Sequence, residues 1–156
     1  MRNNEKVIEE ILLENYDKYY RIALRYTRNE QDALDVVQES AYKAIFNENK
    51  LKNTAYADTW ICRIVMNEAI EYLRKNRKYH EDIDEYQAEA EECYEGLEIR
   101  EAMQRLTPKE QMVVSLRYFE DMSLEEVSHV TNENVNTIKS RLYRALAKLK
   151  VNLSEI

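Results

Sequence analysis

One glycine (Gly96), one proline (Pro108), two cysteines, two histidines and two phenylalanines are all that this 156-residue chain holds of those types. So little glycine and proline leaves scant turn chemistry for hairpins, and no stretch alternates apolar and polar residues over strand length, so the expected class is all-α. No run of about eighteen apolar residues occurs, which excludes a membrane-spanning helix. The opening Met1-Arg2-Asn3-Asn4-Glu5-Lys6 leads into charged amphipathic sequence instead of a signal-peptide core, so a cytoplasmic location with reduced thiols is expected. Cys62 is expected to be packed and Cys93 accessible. His80 and His129 do not combine with the thiols at ligand spacing, so we expect surface or structural histidines and no metal. A Gly-rich phosphate loop and a nucleophile–base pair are both missing, which argues against an enzyme, a cofactor or a small-molecule substrate.

What the chain has in quantity is charge, unevenly spread. Its net charge is −7, which by itself disfavours nucleic acid. Residues 59–80, however, hold five basic and two acidic side chains, and residues 133–156 again five and two. Between the two, residues 81–98 hold nine acidic groups and no basic one. Two basic segments flank an acidic one, the pattern of a segmented chain with two separate cationic surfaces. Residues 80–96 have weak periodicity and heavy like charge, so they read as a flexible linker; about twenty extended residues reach ~65 Å. The expected domains are therefore 1–79 and 97–156. Twelve tyrosines mean that many core positions carry a hydroxyl needing a partner or a path to water.

The second basic segment is the most informative. At helical period Val135, Ile138, Leu142, Ala145, Leu146 and Leu149 fall on one side, whereas Asn136, Ser140 and Arg144 fall opposite, flanked by Thr137, Tyr143 and Lys148. Short polar groups near a helix N-terminus with cations behind them suit the major groove, where small donors read bases and Arg or Lys neutralises phosphates. Upstream, Ser123-Leu124-Glu125-Glu126 has the form of a capping box opening a short helix, and Thr131-Asn132-Glu133 supplies a turn at a residue that tolerates left-handed backbone. This predicts a helix-turn-helix. Thr107-Pro108-Lys109-Glu110 is a second capping box with proline at the first helical position, opening a helix through Phe119. With Leu97–Leu106, these segments make a four-helix C-terminal domain.

In the N-terminal half, Glu5–Arg28 reads as one helix and Asn29 caps a second. On that second helix Asp35, Gln38, Glu39 and Tyr42 form a polar stripe, away from Ala33, Val37, Ala41, Ala44 and Ile45. A polar loop, 47–53, precedes a third helix that begins at Thr54 or Asp58 and runs to about Lys78. Ile61, Val65, Ala69 and Tyr72 line its apolar side with Trp60 as a core anchor, and Arg63, Asn67, Arg74 and Arg77 share another face.

These residues resemble a known family. Asp32-Ala33-Leu34-Asp35-Val36-Val37-Gln38-Glu39-Ser40 is similar to the second region of bacterial RNA polymerase sigma factors. Trp60–Asn67 with Tyr72-Leu73-Arg74-Lys75 resembles the helix that follows it in the extracytoplasmic-function (ECF) subfamily. Leu106–Ser123 and Thr137–Ala145 resemble the fourth region. Within the subfamily the pattern looks like the sigma-V type. The resemblance implies that Asp35, Gln38 and Glu39 dock on core RNA polymerase. It also implies that Asn67, Arg74 and Lys75, with Asn49, Lys50 and Asn53 of the loop, read and open the −10 element. Lys139, Ser140, Tyr143 and Arg144, with Asn136 nearby, would face the −35 element, Lys139 as a phosphate contact. A membrane-anchored anti-sigma factor is the implied regulator. Ser128 and Glu133 depart from the family's apolar preference, which predicts looser packing and an exposed turn.

Two other readings remain open on the residues alone. A stand-alone helix-turn-helix regulator would bind a palindrome by itself, and a helical adaptor would use the acidic stripe and never touch DNA.

Overall fold

The computed structural model describes residues 3–76 and 97–155. Among these the regular structure is helical and no strand occurs. The chain divides into two compact units, Met1–Ala90 and Glu91–Ile156. His80, Cys93, Arg77, Lys78 and the acidic segment 80–96 lie outside the described residues.

In the first unit α1 spans Asn3–Glu14, α2 Tyr16–Thr27, α3 Glu30–Phe46 and α4 Ala57–Asn76. The single first helix expected is thus two, so the described residues of this unit form four α-helices in place of three. The break falls at Asn15, whose φ of −114° leaves the helical region and whose carboxamide donates to the Ile11 carbonyl at 3.2 Å. Asparagine offers the backbone this local alternative, so a stripe that continues through it does not keep the helix straight. Helices α2, α3 and α4 pack on one another, and α1 packs on α3 and α4. Ile8, Tyr19, Ile22, Ile61 and Val65 are the large residues wholly inside.

Trp60 is only half-buried. At 100° per residue it stands one position off the Ile61–Val65–Ala69 line that faces the core, so Ile61 is the anchor there. Cys62 is buried, as expected. Tyrosine fills fewer core positions than expected: among the described residues only Tyr19 is wholly buried, and it donates to Asp58 at 2.8 Å, while half-buried Tyr72 donates to Asp32. Burial first, then the Asp58 charge, raises the Tyr19 hydroxyl far above its ordinary value, so it stays a donor. Lys18 pairs with the same Asp58, tying α2 to the first turn of α4.

In the second unit α5 spans Leu97–Gln104, α6 Pro108–Val114, α7 Leu124–Thr131 and α8 Val135–Glu155. Both capping boxes form: Glu110 N–H donates to Thr107 Oγ1 at 3.2 Å, and Glu126 N–H to Ser123 Oγ at 3.1 Å, each answered by the glutamate carboxylate. Past α6 the chain widens into a π-turn over Ser115–Phe119, where one uniform helix through Phe119 was expected, and Phe119 is 40 % exposed. Arg117 spans the end of this turn, donating to the Met122 carbonyl at 3.3 Å. Helix α8 packs on α5, α6 and α7.

Candidate nucleic-acid interface

The helix-turn-helix is α7, a turn and α8. Asn132 ends α7 in the left-handed region (φ 56°, ψ 36°), which an asparagine enters at less cost than other non-glycine residues. Asn134 opens α8: its side-chain oxygen accepts from Asn136 N–H at 2.7 Å and its carbonyl from Ile138 N–H at 3.0 Å. Ile138, Leu142 and Ala145 are buried, and Val135, Leu146 and Leu149 half-buried, which leaves Asn136, Lys139, Ser140, Tyr143 and Arg144 exposed together. Periodicity therefore placed this face correctly, because one long helix pinned along an apolar side exposes the other by geometry alone.

The two departures at Ser128 and Glu133 turn out to be partners. Ser128 Oγ donates to the Glu133 carbonyl at 2.5 Å, and Glu133 N–H returns to the Ser128 carbonyl at 3.2 Å. The Glu133 carboxylate then accepts two parallel bonds from the Arg141 guanidinium, both 2.8 Å. Such fork-to-fork pairs are among the stronger surface interactions. Glu133 is half-buried, not exposed as expected, and hydrogen bonding from Arg141 holds its carboxyl below the usual range. Arg141 is thereby committed to a pair within the protein. Lys148 is similarly engaged, donating to Glu110 at 2.8 Å. Burial alone would raise the Glu110 carboxyl, but the bonds from Lys148 and Thr107 outweigh it and lower it. Neither pair has a local sequence signal, since the partners stand eight and thirty-eight residues apart.

In the first unit Asp35, Gln38 and Glu39 are exposed along α3. Their stripe continues through Tyr42 to Phe46, whose rings stack at 6.0 Å between centroids while 63 % and 72 % exposed. Asp35 and Glu39 line a shallow groove with Glu71, Tyr72, Lys75 and Asn76 of α4. Lys75, expected with the −10 set, therefore lies beside the acidic stripe. Arg74 donates to Glu71 through Nη2 at 2.6 Å and Nε at 3.1 Å, and Lys75 approaches the same carboxylate at 3.9 Å. The Arg74 bond first, with the charges of Arg74, Lys75 and Lys43 and against a smaller effect of burial, lowers the Glu71 carboxyl. These exposed pairs are weakly held and open to competition from phosphate. On α4 Asn67 stands free of this cluster's pairs and exposed, while Lys43 of α3 pairs with Glu68.

The loop between α3 and α4 exposes Asn49, Lys50 and Asn53 and buries Leu51. Asn53 is half-committed: its side-chain oxygen accepts from Ala55 N–H at 3.0 Å, starting the short turn Thr54–Tyr56 ahead of α4, which leaves its amide N–H donors for other use.

The described structure is thus two helical units, one carrying an acidic stripe and a cation-bearing helix, the other a helix-turn-helix with an exposed polar face. Residues 11–79 match the sequence profile of Sigma-70 region 2, and residues 96–149 that of Sigma-70, region 4. Residues 1–156 belong to the sigma-70 family of RNA polymerase sigma factors, in the ECF branch, and act as an alternative sigma factor directing transcription initiation. The chain is similar to RNA polymerase sigma factor SigV of Bacillus subtilis, 37 % identical over 88 % of this chain and 85 % of that one. It is also similar to RNA polymerase sigma-E factor of Streptomyces coelicolor, 29 % identical over 93 % and 85 %. Among solved structures, the fold matches sigma factor RpoE of Bartonella quintana, determined with the anti-sigma factor NepR, at a TM-score of 0.74 over 94 % of this chain and 96 % of that one, with 19 % identity. It also matches CnrH, determined with the cytosolic domain of CnrY, at 0.71 over 98 % and 91 %, with 21 % identity.

Proposed function

We propose a division of labour between two domains, 1–79 and 97–156, joined through the acidic segment 80–96. Asp35, Gln38 and Glu39 dock on core RNA polymerase. Asn49, Lys50 and Asn53, with Asn67 and Arg74, take the −10 element, and Lys75 contributes from the edge of the acidic groove. Asn136, Lys139, Ser140, Tyr143 and Arg144 take the −35 element. The observation that carries this reading is the clean segregation on α8, where every residue assigned to DNA is exposed and the alternate face is in the core. The −10 element is opened by capturing unstacked bases, which offsets the few kcal/mol lost per unstacked step.

The protein itself catalyses no reaction in this scheme and works in the cytoplasm, in a stress response. The matched RpoE structure carries the anti-sigma factor NepR, which supports an anti-sigma factor, membrane-anchored in our reading, as the regulator here. Alone, a chain of net charge −7 neutralises few phosphates and binds DNA weakly. A gel shift on promoter DNA, with and without core polymerase, tests this. A shift only with polymerase is expected. A shift by the lone chain on a symmetric site would favour a stand-alone helix-turn-helix regulator, and none under either condition an adaptor.

A further inference from the structure

Asn4, near the start of α1, reaches across the first unit to the loop that carries Asn49, Lys50 and Asn53. Its Nδ2 donates to the Glu48 carbonyl at 3.0 Å and to the Leu51 carbonyl at 2.9 Å. Both hydrogens of one amide group are thereby spent on two carbonyls either side of Asn49 and Lys50. The same stretch is held from within by Lys50 N–H to the Asn47 carbonyl at 2.9 Å, by Leu51 N–H to the Glu48 carbonyl at 3.2 Å and by burial of Leu51. The backbone of 48–51 is thus fixed from beneath while Asn49 and Lys50 face solvent.

We infer that Asn4 is a positioning residue for promoter opening: its carboxamide clamps the 48–51 turn so that Asn49 and Lys50 are presented in one arrangement to an unstacked DNA strand. The inference rests on the assignment of that loop to the −10 element. Its physical reason is preorganisation. A loop that must adopt its bound form on meeting single-stranded bases loses ordering entropy at that moment, and it accepts wrong bases by adjusting to them. A loop already held by two long-range hydrogen bonds does neither. Only a side chain with two N–H donors on one atom, at this reach, bridges both carbonyls; an aspartate of the same shape turns two attractions into oxygen–oxygen repulsion.

The test is run-off transcription by core polymerase loaded with the full chain, on a duplex promoter library randomised over the −35 and −10 regions. The readout is enrichment of the best −10 sequence over the mean, with enrichment at −35 read from the same transcripts. Asn4→Asp is expected to lower −10 enrichment about tenfold, the size of one or two lost hydrogen bonds, with −35 enrichment and core affinity unchanged. Asn4→Ala, which removes the donors without repulsion, is expected to fall between the two. A loss spread equally over −10 and −35, together with a lower thermal midpoint, would reduce Asn4 to a structural residue and overturn the clamp. The double variant Asn49→Ala/Lys50→Ala separates the two levels. If it abolishes −10 preference while Asn4→Asp does not, the clamp alone is wrong. If neither changes −10 preference, the loop does not read this element and the clamp falls with it.

Discussion

Arg144 and Arg141 lie three residues apart on α8 and have opposite fates. Arg144 is exposed on the face of α8 that we assign to DNA, whereas Arg141, its side chain 11 % exposed, is bound to Glu133. Arg144→Ala should lower −35-dependent run-off transcription about tenfold or more, the worth of a good side-chain-to-base contact, while affinity for core polymerase in a pull-down is unchanged. An equal fall in core binding would refute the assignment of that face. Glu133→Ala acts through stability instead, leaving Arg141 without this acceptor at a cost of about 1.5–3 kcal/mol. The sign with pH follows from its depressed carboxyl. Stability from the pair is fully present above the ordinary carboxylate pKa of about 4.3 and is lost as pH falls through the lower folded value. Urea melts at pH 7 and below pH 4 should therefore show the gap between wild type and Glu133→Ala closing in acid.

At the scale of the element, a chain with one glycine must end its helices by other means. Arg28, Asp121 and Asn132 all take positive φ, between 56° and 60°. Asn132→Ala should destabilise the second unit by about 1 kcal/mol, since alanine has no polar group to ease the left-handed conformation, and Asn132→Gly should be neutral or stabilising. Thermal midpoints decide this; equal midpoints for both variants would mean that the turn is held elsewhere, by Ser128 and Glu133. Elements with a cap and a long apolar period were legible before any coordinates: α3 from Asn29, α6 from Thr107, α7 from Ser123, α8 from its stripe. The break at Asn15 and the π-turn at 115–119 were not, because each depends on which hydrogen bond the backbone takes when two are on offer.

For the whole molecule, two compact units imply two cooperative transitions. Fragments 1–79 and 97–156 are each expected to be helical by circular dichroism and to melt cooperatively. Failure of either fragment to fold alone would show that the units depend on each other. The second fragment, at 60 residues, is near the lower limit for a free-standing core, so the Glu110–Lys148 and Glu133–Arg141 ties should weigh more there than similar pairs would in a larger unit.

The amino-acid order by itself determined the class, the helix-turn-helix, the exposed polar face of α8 and the acidic stripe of α3, because periodicity and capping are local and need only neighbouring residues. It left undecided which charges are spent inside the protein. Arg141, Lys148 and Asn4 look from their surroundings like any other polar side chains, and their partners come near only when distant segments fold together. Tertiary structure made that choice, since a hydrogen bond forms over about 3 Å and no spacing along the chain measures that distance.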